Sequence, residues 1–516
     1  MATPSLAMIP SAIADSKVYS VLPNNGDGDF TFNRDSSATR IGQNGLIQTV
    51  GFFGSDVLNG YNFTSGYTAY PSGSIDSATS FTSLSGGGGV RPNSDVLSSG
   101  KTYICSLAGT VPTGNIKLLQ WDGAGNYSPS FSGTFDVTFE FIQTGSYNNF
   151  WLRNDAAATT TITKFTIQEI TGDQPRLNYD ISNGVVQSCP SLLLEPASTN
   201  SLVYSEDFSN AAWIKTSATV ESGFVSPDGT LNADLLQLTL AGGNIYDGVG
   251  GSGDYSFSVF AKYKDAQYIR LRSTGSYAYF DIQNGVLGST INVINTKIEN
   301  YGNGWYRCSV IGNNTNALAQ IYVSDTDGSN TGTGGVYLYG AQFEAGSYPT
   351  SIIPTTGAIQ TRAAETCFGA GTSSTFNSTE GTLYAEFKSN NADLIGISIY
   401  GINANDRVCF YGQTGNSIVF RIRVGGVYVY TYSKISLDLT TTQKVALTYA
   451  NNNVKAFING VLVNSSTSVA ATFPSGTLIQ GAFDNAGAQD FYGKCKDLRV
   501  FNEALTDLQL QKLTTL

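Results

Sequence analysis

The side chains best suited to chemistry in this sequence are aromatic rings interleaved with arginines. In residues 146–155, SYNNFWLRND, Trp151 and Arg153 stand two residues apart, so on a strand they share one face. Trp121 and Tyr147 complete the candidate set of that region. Aromatic faces stack on sugar rings and planar polar groups fix hydroxyls, so such a set can hold a saccharide. A core tryptophan beside a salt-bridging arginine is the alternative. Further along, Tyr268, Arg270 and Arg272 alternate, which predicts the two arginines on one face and Tyr277 with Tyr279 on another. An interchain salt bridge explains that arginine pair equally well. Near Tyr411, the run YVYTY places Tyr428, Tyr430 and Tyr432 at every second position and predicts one tyrosine stripe. Such a stripe serves as a glycan platform, an intersubunit contact or plain cross-strand packing. The candidate binding residues are therefore Trp121, Tyr147, Trp151, Arg153, Tyr268, Arg270, Tyr428 and Tyr430. Trp305, in GWYRC, is expected in a core.

Other chemistries find few residues to use. The chain has no histidine, which removes Ser-His-Asp and Cys-His catalysis and every histidine-containing zinc site. Its six cysteines, Cys105, Cys189, Cys308, Cys367, Cys409 and Cys495, stand singly with no CxxC. They read as isolated thiols of a protein folded in a reducing cytoplasm. Asp325-Thr326-Asp327-Gly328 and Asp27-Gly28-Asp29 resemble the opening of a calcium loop but lack its distal ligands, so turn chemistry is expected at both. A structural calcium is possible and has no assigned ligands; no other cofactor is expected. The formal net charge of −11 disfavours nucleic acid and anionic membranes as partners. The N-terminal residues lack a basic, apolar secretory pattern, and no apolar run reaches membrane-spanning length.

The elements that must position these residues read as strands. Only 13% of the 516 residues are charged, 12% are aromatic and 57 are glycine, a composition of pleated surfaces and turns. The length suggests three or four domains. Residues 52–173 alternate apolar and polar positions between turn signals such as Asp122-Gly123 and Thr144-Gly145, as in a β-sandwich, with the glycine run 86–89 as a loop. Residues 174–200 resume the style of 1–51, so this sandwich is predicted as an insertion into a small split N-terminal unit. Too thin to bury its own core, that unit is expected to pack on a partner or a neighbouring domain. A second sandwich is expected over 201–370 and a third module over 374–516, where Asn459-Gly460 marks a hairpin and 504–513 the one convincing helix. The predicted class is all-β and multidomain: tandem β-sandwiches or jelly rolls on a split N-terminal unit.

Two resemblances follow from particular strings. EGTLYAEFK, QKVALTYANNNVKAFINGVLV and YGKCKDLRVFNEALTDLQLQKL resemble the laminin-G type of concanavalin A-like jelly roll. TFNRDSSATRIGQNGLIQTVG, CPSLLLEPASTN, NGWYRCSV and YLYGAQFEAGSYPTSIIPTTGAIQTRAAE are similar to segments of bacteriophage head-spike and fibre proteins. That resemblance implies a virion protein on the particle surface, assembled in the host cytoplasm, with other virion proteins and host surface glycans as partners. It further implies a homo-oligomer, most often a trimer, with residues 1–51 as the candidate particle anchor. A structural connector that binds no sugar is the alternative. Hydrolysis is expected to be absent, because jelly-roll hydrolases carry an ExDxxE strand and no such string occurs here. Glu386, Asp497 and Glu503 have ordinary structural readings.

Overall fold

Alternation of apolar and polar residues, broken by glycine and asparagine turns, produces a chain with 55% of its residues in strands and 2% in helix. The computed structural model describes residues 2–84, 86–121, 125–128, 130–144, 146–273, 275–314, 318–390, 395–487 and 489–516. The expected turn at Asp122-Gly123 lies outside these, as does Gly145 of the one at Thr144-Gly145. Among the described residues no helix is long and apolar enough to cross a membrane.

Three large apolar cores organise the molecule. The first gathers Phe63, Phe81, Cys105, Leu118, Phe150, Leu152 and Phe165. Around it, nine strands form one hydrogen-bonded network rather than two separate sheets. The 19-residue strand Thr102–Gln120 makes this possible. It pairs with Phe131–Ile142, Phe150–Asn154 and Ala158–Gly172, and register shifts at Val111/Ile116 and Ala108/Gly109 mark its changes of direction. The second core, with Trp213, Phe257, Leu271, Phe280 and Phe343, lies between two six-stranded sheets.

The third core joins distant parts of the chain. Leu6, Phe30, Phe32 and Leu192 are buried together with Phe387, Phe410, Phe420 and Val500. Leu6, Phe30, Phe32 and Leu192 therefore lie on the C-terminal module, whereas Ile41 and Ile47 pack with Phe260, Trp305 and Tyr339 of the second module. Leu6–Met8 pairs antiparallel with the last strand, Gly493–Phe501, with Leu6 opposite Val500. Val185–Leu194 pairs with that strand further along, extending the eight-stranded sheet that faces a five-stranded one. The helix Asp507–Thr514 begins where Thr506 accepts from the Gln509 amide and Gln509 caps in return. The Asn459-Gly460 hairpin has positive φ at both positions, 50° and 82°, as a tight two-residue turn requires.

Candidate functional site

The strand Phe150–Asn154 buries Phe150, Leu152 and Asn154 and leaves Trp151 and Arg153 half-buried on the opposite face. This arrangement corrects the core-tryptophan reading. Register puts Tyr70, Gly89, Arg153 and Lys117 in one row across four strands. Trp151 lies in the next row, opposite Leu119. The rings of Tyr70 and Trp121 meet edge-on at 5.0 Å, those of Tyr70 and Trp151 at 6.0 Å, and the two tryptophans at 6.5 Å. Arg91 stacks over Trp121 at 4.1 Å and Arg153 lies 5.1 Å from the Trp151 ring. Trp151 Nε1, Arg91 Nε and Arg153 Nε are buried and have no acceptor among the described residues. Aromatic rings thus cover these buried N–H donors on one face of the sheet.

The glycine run explains how the side chains fit. Gly88–Pro92 is a strand, not a loop. A Cβ on Gly89 would stand 2.8 Å from Trp151 Nε1 and 2.1 Å from the Leu152 carbonyl. One on Gly87, whose φ is +110°, would stand 2.9 Å from Arg153 Nη2. Tyr70 and Arg91 were not among the sequence candidates, because Gly88–Arg91 carries no alternating aromatic signal. Tyr147 is exposed in the preceding loop and makes none of the ring contacts of this cluster.

The middle module carries a second cluster on one sheet. Arg270 stands opposite Tyr279 on one side and Tyr322 on the other, while Arg272 stands opposite Tyr277. The tyrosines therefore share the arginines' face, correcting the expectation of two faces. Arg270, 8% exposed, lies 3.7 Å from the Tyr322 ring and 5.0 Å from that of Tyr277. Tyr279 donates to Asn330 Oδ1 at 2.9 Å, and Arg272 donates to Gln320 Oε1 at 3.2 Å. Tyr268 stands opposite Asp281 at the edge of this group. Trp305 is buried at 3% exposure in a small core with Phe260 and Tyr339, as expected.

In the C-terminal module a bulge divides the predicted tyrosine stripe. Tyr428 pairs with Arg423 but Tyr430 pairs with Ile422, so Val429 is the extra residue. A one-residue slip reverses the faces that follow. Tyr430 turns inward, 6% exposed, and donates to Asn464 Oδ1 at 2.9 Å, whereas Tyr428 stays 49% exposed among Arg407, Arg421 and Arg423.

Among the described residues no group of three or more acidic, cysteine or histidine side chains could hold a metal. The Asp325–Gly328 segment is a turn closed by the Ser324 hydroxyl, which donates to the Thr326 carbonyl at 2.9 Å and also to that of Ser329. Asp27 accepts from Asn25 Nδ2 at 2.8 Å, and Asp29 pairs with Lys17 at 3.7 Å. Five of the six free thiols are buried, and Cys189 is exposed.

A buried ionic hub escaped sequence reading altogether. Glu365 binds Arg34 Nη1 at 2.9 Å and Arg176 through Nε at 2.8 Å and Nη2. Glu195 receives Arg176 Nη1 at 2.7 Å, Arg362 Nη1 at 3.1 Å and the Ser351 amide at 2.8 Å. Burial opposes the charge of Glu195, but Arg362 and Arg176 outweigh it and hold the carboxyl well below its usual range. The strands Ala158–Gly172 and Gly335–Ala345 each deliver the chain to this hub, through Arg176 and Ser351 respectively. Where the first two modules meet, Phe131, Phe135, Phe139, Glu206, Asp207 and Asp234 line a cleft. Burial pushes Asp234 up to about 7, and burial with the Asp228 charge pushes Glu206 up to about 8.

Residues 355–511 match the family model of the concanavalin A-like lectin/glucanases superfamily, so the C-terminal module is a jelly roll of that type. No curated protein sequence matches the chain. Among solved structures, the carbohydrate-binding module CBM40 of a Ruminococcus gnavus intramolecular trans-sialidase, bound to α2,3-sialyllactose, is 20% identical, with a TM-score of 0.24 over 26% of this chain and 83% of that one. Domain 4 of a Geobacillus stearothermophilus extracellular arabinanase, in complex with arabinotriose, is 18% identical, with a TM-score of 0.25 over 30% and 73%. A pentraxin of Limulus polyphemus is 15% identical, with a TM-score of 0.23 over 27% and 70%.

Proposed function

We propose that this protein is a fibre or head-spike protein of a bacteriophage particle that holds surface glycans through the outer faces of its β modules. The observation that carries the glycan reading is the cluster of Tyr70, Trp121 and Trp151 with Arg91 and Arg153. Its rings lie on the outer face of the sheet, over buried N–H groups of Trp151, Arg91 and Arg153 that have no partner among the described residues. A donor left without an acceptor costs about 1–3 kcal/mol where water is excluded, so a small shift of these side chains that brings the donors to sugar hydroxyls is favoured while a pyranose face covers the rings. The reading requires holding, not catalysis. Each site is shallow, so affinity comes from copy number: a homotrimer with linked sites can gain about 10²–10⁴ in avidity.

The phage assignment rests on the similarity of residues 1–51 and 174–370 to head-spike and fibre segments. In this reading the surface built by residues 1–51 and 174–200 grips other virion proteins, and the outer modules face the host. The test is a glycan array probed with the purified chain, with and without calcium, beside Trp151→Ala. Saturable binding that the substitution removes from a folded protein supports adhesion. Absence of binding by a correctly assembled oligomer overturns it in favour of a structural connector.

A further inference from the structure

The outer face of the five-stranded sheet in the C-terminal module concentrates three guanidinium groups in a chain of net charge −11. Arg407 stands directly opposite Arg423 on the neighbouring strand, and Arg421 lies two residues from Arg423 on the same face. Like charges opposite one another across strands are destabilising. Among the described residues, none of the three forms a salt bridge with a carboxylate. Asp406 accepts from the Gly425 amide at 2.7 Å, and Asp484 from Ser398 Oγ at 3.5 Å.

The three groups are held in place. Arg423 donates from Nε to the Gly426 carbonyl at 3.0 Å and from Nη1 to the Ala404 carbonyl at 3.2 Å. Arg407, 5% exposed, donates to the Asn485 carbonyl at 3.4 Å and to Tyr428 Oη at 3.3 Å. The Tyr428 ring lies 4.6 Å from Arg421 and 5.2 Å from Arg423, and Tyr411 lies 4.9 Å from Arg421. Aromatic faces attract cations but do not neutralise them. Among the described residues, Arg407 Nε and Arg421 Nε remain without acceptors. A positioned, desolvated set of guanidinium forks matches the geometry of a carboxylate, sulfate or phosphate group.

We propose that Arg407, Arg421 and Arg423 form an oxyanion site, with the exposed Tyr428 ring as a platform for the apolar part of whatever carries the anion. The site lies in a different module from the Trp151 cluster and does not depend on the glycan reading. Its ligand is an anionic oxygen group, either a free inorganic ion or the acidic group of a saccharide.

The probe is radiolabelled inorganic sulfate in equilibrium dialysis against the full chain at low ionic strength. Competitors are phosphate and matched sulfated, carboxylated and neutral oligosaccharides. The expected result is saturable sulfate binding that weakens at least about tenfold in Arg421→Gln and is unchanged in Trp151→Ala. Arg423→Lys, which keeps the charge and loses the fork, is expected to weaken it as well. Acidic oligosaccharides that displace sulfate more strongly than phosphate does identify a saccharide ligand, and equal displacement by phosphate identifies a free ion. Either outcome supports the site. Absence of saturable binding, or equal binding by folded Arg421→Gln, overturns it. Should Arg421→Gln fail to fold, Tyr428→Leu gives the same test, since it removes the platform from an exposed position.

Discussion

At the scale of single residues, what decides a role is the face on which a side chain stands. Trp151 lies outward and touches Tyr70, Trp121 and Arg153. Trp151→Ala is expected to weaken glycan binding at least about tenfold, equivalent to ~1.4 kcal/mol, with the unfolding transition unchanged. Tyr430 is the opposite case. Tyr430→Phe removes the bond to Asn464 from a buried site and should cost about 1 kcal/mol of stability in denaturant unfolding, with no change in ligand binding. Period-two spacing revealed the pairing of Trp151 with Arg153, because that strand is regular. The same rule failed for Tyr428 and Tyr430, because nothing in VYVYTY announces the extra residue at Val429. Tyr322 reaches its cluster from a strand that is not a sequence neighbour of the one carrying Arg270, a juxtaposition no local pattern encodes.

At the scale of elements, the first module depends on glycines for close approach. Gly89→Ala would drive a Cβ into the Leu152 carbonyl and the Trp151 indole. It is expected to destabilise this module by about 1–3 kcal/mol and to quench glycan binding with it, measurable by calorimetry beside a binding assay. The junction between the first two modules should respond to pH. Asp234, held near 7 in the fold and near ~3.9 when unfolded, binds more protons in the native state between those values. Its contribution to stability is therefore complete below pH ~3.9 and is lost as pH rises through about 7. Asp234→Asn, which retains an acceptor for the Phe208 amide, is expected to flatten the decline in melting temperature between pH ~4 and 7. A steeper decline in the variant would contradict this account. Strand positions and the closing helix were legible from alternation and from the apolar spacing over 504–513. The single wrapped network of the first module was not, since it depends on register shifts within one long strand.

At the scale of the whole molecule, the ionic hub ties together segments that the sequence keeps more than 300 residues apart, as with Arg34 and Glu365. Removing one partner strands the other charges in a dry site. Arg176→Met is expected to destabilise the chain by about 3–5 kcal/mol, seen as a shifted denaturant midpoint with loosening of residues 1–51 in hydrogen exchange. Glu195 works in the reverse sense to Asp234. Its stabilising contribution is complete above pH ~4.3 and fades as pH falls toward its depressed native value. Sequence reading grouped residues 1–51 and 174–200 as one split unit. It missed the hub itself, because isolated arginines and glutamates give no periodic signal.

The pairing of Leu6 with Val500 also sets an order of events on the ribosome. The first module can close as soon as its own strands emerge, but the opening strand has no edge to join until the final one is made. At ~5–20 residues per second, that wait is roughly 25–100 s. Throughout it the strand Leu6–Met8 remains a nascent tail with apolar side chains uncovered, a natural client for chaperones, while Ile47 can already pack on Phe260 and Trp305.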